Sequence, residues 1–267
     1  MTATNFDQSP IPDYSKQLRL DGRTLVVLGA GAGIGRQVSH ALAQAGAKVA
    51  CVDRDIELAK YVAEEVGGKP FAGDIIKRQD VERIFAEAHK AMGPITGLVD
   101  IVGMPVLGPL ADLNDAKWAS QFDLVLNHAF LAMQIGGRTI ADCGGGSMVF
   151  VASMAGIVSL PGQGAYGAAK AALIHLVSNV GKELGPARVR VNAVAPGFAR
   201  TPRLNTMLSE QQWSEIGKII PLGAAAAPSE IAGPILFLSS DLASHVTGQT
   251  LLVDGGIAGA VQLPKLW

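Results

Sequence analysis

Long apolar runs, cysteine, aromatic residues and net charge are all scarce in this chain of 267 residues, and each scarcity excludes a class of function. No apolar stretch reaches the roughly 18 residues that a membrane-spanning helix needs. The opening MTATNFDQSPIPDYSKQ has no apolar signal core and reads as a polar arm. With 22 basic and 23 acidic residues the formal net charge is −1, mixed along the chain, which leaves no footprint for nucleic acid. The two cysteines, Cys51 and Cys143, are far apart and lack metal-ligand spacing. Five histidines are scattered without an HxxxH pair, so each is expected to be a packed or surface residue and no metal is expected. Cys51, inside KVACVD, is expected to be a buried thiol. A cytoplasmic, enzyme-sized domain is the expectation that remains.

What the chain does have is glycine: 32 glycines against 5% aromatics favour tight turns and close helix–sheet packing over an aromatic core. Short apolar runs alternate with amphipathic segments. Strands are expected over 24–30, 48–53, a short run ending at Asp74, 96–103, 146–153, 189–197 and 249–256. Helices are expected over 33–46, 78–92, a long one from about 114 to 141, and one carrying Tyr166. Continuous apolar strands separated by helices predict an α/β fold, with a parallel sheet covered on both faces. No repeat and no linker rich in Pro, Gly or Ser divides the chain, so one domain over 21–257 is expected. It is preceded by an arm over 1–20 and followed by a tail over 258–267. The irregular segment 198–227 reads as a lid over the carboxyl edge of the sheet, where α/β ligands bind.

The first strand runs into VVLGAGAGIGRQ, whose Gly29, Gly33 and Gly35 fit a GxxxGxG spacing and not GxGxxG. Such a turn leaves no Cβ where a pyrophosphate approaches and aims a helix N-terminus at the phosphates. Asp53 closes the second strand, 18 residues past Gly35, near the spacing of an acid that accepts from an adenosine ribose. A carboxylate there repels a 2′-phosphate, which predicts NAD over NADP. Arg54 beside it is open to two readings, accepting a phosphate or shielding Asp53. Asp74 either marks the adenine edge or caps the next helix.

In GQGAYGAAKAALIHL, Tyr166 and Lys170 stand at i and i+4 among small residues. A free tyrosine has a pKa of about 10 and is a poor base at neutral pH. An ammonium one turn away favours the phenolate, and the small neighbours leave room for substrate and cofactor. Tyr166 is therefore the expected general acid/base. Ser153, 13 residues upstream, can donate to a substrate oxygen, and Asn127 is an amide in the apolar DLVLNHAFLA, where a packed core amide is the alternative.

Over about 20–257 the chain resembles the short-chain dehydrogenase/reductase family. The family's TGxxxGIG appears as Leu28 to Gly35, its Asn-Ser-Tyr-Lys tetrad as Asn127, Ser153, Tyr166 and Lys170, and its PG motif as Pro196-Gly197. Thr201 looks like the threonine that approaches the nicotinamide amide, and VTGQTLLVDGG also matches. The resemblance implies a doubly wound Rossmann-type fold with a seven-stranded parallel sheet. It further implies that Lys170 binds the nicotinamide ribose and that Asn127 holds a proton-relaying water. The expected cofactor contacts are Gly29, Gly33, Ile34, Gly35, Asp53, Arg54, Asp74, Ile75, Gly103, Tyr166, Lys170, Pro196, Gly197 and Thr201. Three departures stand out: Leu28 replaces a threonine, Asp100-Ile101-Val102-Gly103 replaces NNAG, and alanines follow PLG where an arginine is frequent.

The reading is an NAD-dependent oxidoreductase interconverting a secondary alcohol and a ketone. The apolar lid residues Leu204, Met207, Leu208, Trp213, Ile216 and Ile219, with Met104, Met154 and Gln163 near the mouth, suggest a hydrophobic substrate that is cyclic, aromatic or steroid-like. The alternative for these residues is a lid packed on the protein itself. A nucleotide-binding sensor without turnover is the competing function, supported by the Leu28 and DIVG departures. A carbon–carbon double-bond reductase is a third, although relatives of that type space Tyr and Lys more widely. The resemblance implies a homodimer or homotetramer built on the helices near 114–141 and 164–184 and on the last strand.

Overall fold

The computed structural model describes residue 7 and residues 9–259. The remainder, including Trp267 and most of the expected tail, lies outside the described residues. After a one-turn helix α1 (Tyr14–Gln17) the order is β1 (Thr24–Leu28), α2 (Gly33–Gln44), β2 (Lys48–Asp53), α3 (Ile56–Val66), β3 (Lys69–Ala72), α4 (Arg78–Met92) and β4 (Gly97–Asp100). Then come α5 (Asp115–Phe122), α6 (His128–Asp142), β5 (Gly146–Val151), α7 (Gly164–Glu183) and β6 (Val189–Pro196). The lid helices α8 (Pro202–Met207) and α9 (Glu210–Ile219), α10 (Pro228–Ser239) and β7 (Thr250–Val253) complete it.

The seven strands form one parallel sheet in the order β3-β2-β1-β4-β5-β6-β7. Side chains alternate across a strand, so β1 divides its residues between two cores. Val26 and Leu28 pack with α4, α6 and α7, whereas Leu25 and Val27 pack with α2, α3 and α10. Both faces of the sheet are thereby covered, which is why its strands read as unbroken apolar runs. The chain passes from β1 to β2 on one side and returns to β4 on the other, opening a crevice at the carboxyl ends of β1 and β4.

Several boundaries differ from expectation. The first strand stops at Leu28 because Gly29 turns the chain at φ +81°. The strands expected to reach Asp74 and residue 103 end at Ala72 and Asp100. The long helix runs on from Asp115 to Asp142 but contains a π-helical turn, Asp123–Asn127, between α5 and α6, in which the His128 N–H donates to the Asp123 carbonyl. Such widened turns tend to occur at functional sites. None of the arm's described residues lines the cavity described below. Its Leu20 is buried, and the Leu20 N–H donates to the Ala45 carbonyl at the far end of α2.

Candidate functional site

Beyond β1 the backbone approaches itself closely. A Cβ on Gly35 would stand 1.9 Å from the Gly29 carbonyl oxygen, and one on Gly31 would stand 2.6 Å from Asp53 Oδ2. Only glycine permits this loop, and the start of α2 has no side-chain cap, because Ala32 at its N-cap offers no acceptor. The hydroxyl lost with Leu28 is made up by the backbone: Gly29 and Ala30 both donate to the Val52 carbonyl at 2.9 Å, and Leu28 itself is fully buried. Asp53 Oδ2 accepts from the Gly31 N–H at 3.0 Å, and its Oδ1 accepts from the Asp55 N–H at 3.1 Å. The carboxylate thus stands at the rim of the glycine turn, with Arg54 exposed beside it. Asp74 does not cap α4. That helix begins at Lys77 with no side-chain cap, while the Asp74 N–H donates to Asp80 Oδ2; Ile75 is buried. A glycine cradle that any Cβ would fill, uncapped helix amides and an acid at the rim fit a dinucleotide.

The second half of the site is a cavity of about 340 Å³ at the carboxyl edge. Its inner wall holds Ser153, Tyr166 and Lys170 together, with Ile34 from α2 and Gly103 beyond β4. Pro196 and Gly197 reach it from β6, and Thr201 from the foot of the lid. Thr201 also caps α8, its hydroxyl accepting from the Leu204 N–H at 3.3 Å. The alanines after PLG close the base of the lid: the Arg200 N–H donates to the Ala226 carbonyl, and the Ala226 N–H to that of Phe198.

Ser153 follows β5 and opens a turn, its hydroxyl accepting from the Ala155 N–H at 3.1 Å. That turn lies against α7 so tightly that a Cβ on Gly167 would meet the Ala155 carbonyl at 2.7 Å. Ala165 and Ala169 are also buried. Gly167 thus serves packing, while Gly164 and Ala168 are exposed. Tyr166 is 8% exposed and Lys170 1%. Lys170 Nζ donates to the Val151 carbonyl at 2.6 Å and lies 5.7 Å from the centre of the Tyr166 ring.

Burial pushes the Tyr166 phenol up to about 12, with the Ser153 hydroxyl beside it acting in the opposite sense. Burial pulls the Lys170 ammonium down to about 8, against the Asp100 carboxylate. Desolvation dominates the phenol, so it rests protonated despite the lysine one turn away. Cys51 is a buried thiol raised to about 11 by desolvation.

Three residues expected at the catalytic wall or the lid lie outside the cavity lining. Asn127 is exposed on the π-turn, its amide donating to Asp123 Oδ1 at 2.7 Å, and it does not line the cavity. The widened turn rotates it outward, so it is neither a packed core amide nor a wall of the site. Trp213 is buried under the Arg200 guanidinium at 5.3 Å from its ring and packs the lid onto the protein. Ile219 is half exposed and also outside the lining.

The outer walls are apolar. Leu204, Met207, Leu208 and Ile216 come from the lid, Met104 and Met154 from the loops after β4 and β5, and Gln163 adds one amide. Sequence reasoning missed Pro105, Leu107, Leu160 and Phe198. Two of these loops are stitched at the mouth, where the Gly108 N–H donates to the Gly162 carbonyl at 2.9 Å. Among the described residues there is no cluster of metal-ligating side chains, and no helix is long and apolar enough to cross a membrane.

Comparison with known proteins agrees with this layout. A family model described as enoyl-(acyl carrier protein) reductase matches residues 29–258. The chain is 32% identical over 245 residues to an NAD-dependent glycerol dehydrogenase of Listeria innocua, covering 91% of this chain and 96% of that one. It is 35% identical over 243 residues to a 2,5-dichloro-2,5-cyclohexadiene-1,4-diol dehydrogenase of Sphingobium indicum, covering 89% and 97%. A solved 7α-hydroxysteroid dehydrogenase, complexed with NADH and 7-oxo glycochenodeoxycholic acid, superposes with a TM-score of 0.86 at 33% identity, covering 91% and 96%. With the glycine turn, the Ser-Tyr-Lys wall and the sheet order in place, the chain belongs to the short-chain dehydrogenase/reductase family of oxidoreductases.

Proposed function

We propose that the protein transfers hydride between NAD and an apolar secondary alcohol or its ketone, with Tyr166 as general acid/base. The observation that carries this reading is the convergence of Ser153, Tyr166 and Lys170 on the inner wall of an apolar cavity, next to the glycine turn. The nicotinamide, when bound, supplies the hydride acceptor or donor. The chain supplies everything else. Ser153 Oγ–H donates to the substrate oxygen and fixes its position. Tyr166 Oη takes the hydroxyl proton in oxidation or returns one to the carbonyl oxygen in reduction. Lys170 places positive charge behind the phenol and offers N–H groups to the nicotinamide ribose. A phenol raised to about 12 rests protonated, the form that ketone reduction needs.

Asp53 and the glycine turn support NAD over NADP, since a 2′-phosphate would approach a carboxylate already engaged with Gly31 and Asp55. The cavity walls favour a substrate that is apolar beyond its reacting carbon. Lys170 is the one charged side chain among the lining residues, and beyond the reacting carbon Gln163 offers the outer walls one polar side chain, too few partners for the several hydroxyls of a polyol. Cyclic, aromatic or steroid-like alcohols fit that chemistry. A homodimer or homotetramer is supported by exposed Trp118 and Phe130 on α5 and α6 and by Leu251 and Leu252 on the edge strand β7. Nothing in the site favours a sensor that lost turnover, because the backbone bonds to Val52 compensate for Leu28 and Asp100 holds the DIVG turn.

The test is a panel of secondary alcohols, from short aliphatic and polyhydroxylated to steroidal, offered to purified protein with NAD and with NADP while nicotinamide absorbance is followed. Reduction of NAD by the apolar members supports the reading. Activity confined to polyols, or to NADP, overturns the substrate class or the cofactor respectively.

A further inference from the structure

Asp100 and His128 form a buried pair behind the cavity wall. Asp100 ends β4 and His128 begins α6, and they are 2% and 1% exposed. His128 Nε2 lies 3.0 Å from Asp100 Oδ2, although the ring N–H is not aligned for a straight hydrogen bond. Neither Asp100 Oδ2 nor His128 Nδ1 has a hydrogen-bond partner among the described residues. Asp100 Oδ1 accepts from the Val102 N–H at 3.0 Å. Neither side chain lines the cavity. A buried carboxylate short of hydrogen bonds is costly unless positive charge lies near it.

Besides the His128 ring, the cation on this side of the sheet is Lys170: Asp100 pairs in register with Phe150, and the next residue, Val151, takes the Lys170 Nζ donor at 2.6 Å. Gly103, three residues after Asp100, comes so close that a Cβ on it would stand 2.9 Å from Lys170 Nζ. Asp100 is also the charge that opposes the effect of burial on that ammonium. Lys170 has three N–H groups and Val151 as its one hydrogen-bond acceptor among the described residues. Around it are Tyr166 from its own helix and the Val151 carbonyl from β5, and Asp100 ends β4 in register with Phe150, the residue before Val151, with His128 from α6 at 3.0 Å from its carboxylate. Asp123, on the π-turn before His128, is exposed and bound to Asn127.

We propose that Asp100, paired with His128, is a positioning residue for Lys170: its carboxylate is the counter-charge that holds the buried lysine as an ammonium behind Tyr166. The pair also ties the strand end beneath the lysine to the start of α6. The proposal deepens the hydride-transfer reading, from which the role of Lys170 is taken.

The test needs neither cofactor nor turnover. Lysine labelled with ¹³C at Cε is titrated by NMR in the full-length protein, with the Lys170 signal assigned by its loss in Lys170→Met. In wild type, Lys170 is an ammonium at pH 7. Asp100→Asn keeps an oxygen for the Val102 N–H but removes the charge, and it lowers the Lys170 midpoint by about one pH unit or more. His128→Gln leaves the carboxylate in place and leaves the midpoint unmoved. An unmoved midpoint in Asp100→Asn overturns the proposal. So does an equal shift in His128→Gln, which would make the effect one of packing. Should Asp100→Asn not fold, a wild-type Lys170 that is neutral at pH 7 overturns it alone. Protein inactive on every alcohol but titrating as stated would remove the reaction and leave this pairing. An active enzyme with an unmoved midpoint would do the reverse.

Discussion

Lys170 Nζ donates to the Val151 carbonyl at 2.6 Å and sits 5.7 Å from the centre of the Tyr166 ring, so the ammonium backs the phenol without binding its oxygen in this arrangement. Burial then dominates the phenol and raises it to about 12. A raised base gains its deprotonated form only as pH climbs. Alcohol oxidation is therefore expected to increase with pH from neutral into the alkaline range, by about tenfold per unit where Tyr166 limits it. Ketone reduction uses the protonated phenol, so it is flat through neutral pH and falls only at high pH. The pH profiles of kcat/KM in both directions check this, and an oxidation optimum below pH 7 contradicts it.

The glycine turn makes a sharper prediction. Gly35→Ala puts a methyl 1.9 Å from the Gly29 carbonyl oxygen, so β1 and α2 must separate. A loss of about 1–3 kcal/mol in stability is expected from such overpacking, together with loss of NAD binding. Thermal unfolding and fluorescence titration with NADH measure both; wild-type values in both would refute the assigned role.

Asp53→Asn keeps an oxygen for the Gly31 N–H and removes the negative charge. The ratio of kcat/KM for NAD over NADP is expected to fall by about tenfold, which corresponds to roughly 1.4 kcal/mol. An unchanged ratio would mean that selectivity comes from another group.

Leu204 lines the cavity from the lid helix α8. Leu204→Ala removes three carbons from that wall, each buried carbon contributing about 0.8 kcal/mol. The expected result is a KM for an apolar alcohol raised by at least about tenfold, with kcat changed less. A short aliphatic alcohol that does not reach the lid is unaffected, and steady-state kinetics on the two substrates separate the cases.

The sequence was legible wherever the chemistry is local. Tyr166 and Lys170 share one helix face, which their spacing showed, and the family resemblance joined Ser153 and the glycine turn, at the ends of other strands, to them. The exposure of Asn127 was not legible, because the apolar DLVLNHAFLA reads as a regular helix and nothing in it announces the π-turn. Trp213 read as a substrate wall because a buried tryptophan in a lid looks the same in sequence whichever surface it meets. The Asp100–His128 pair was out of reach for another reason. Its members are 28 residues apart on different elements, and only the fold closes them to 3.0 Å. The loss of the amide from DIVG was visible, but the histidine that answers it was not.

The most direct measurement is NAD reduction by the best apolar alcohol of the panel, in wild type and in Tyr166→Phe. Phe keeps the buried ring and removes only the proton donor, so folding and NADH binding are expected to hold. Turnover is expected to fall by about 10²–10⁴-fold, the range of a lost general acid/base. A Tyr166→Phe protein that folds, binds NADH and keeps near-normal turnover would contradict the account at its centre.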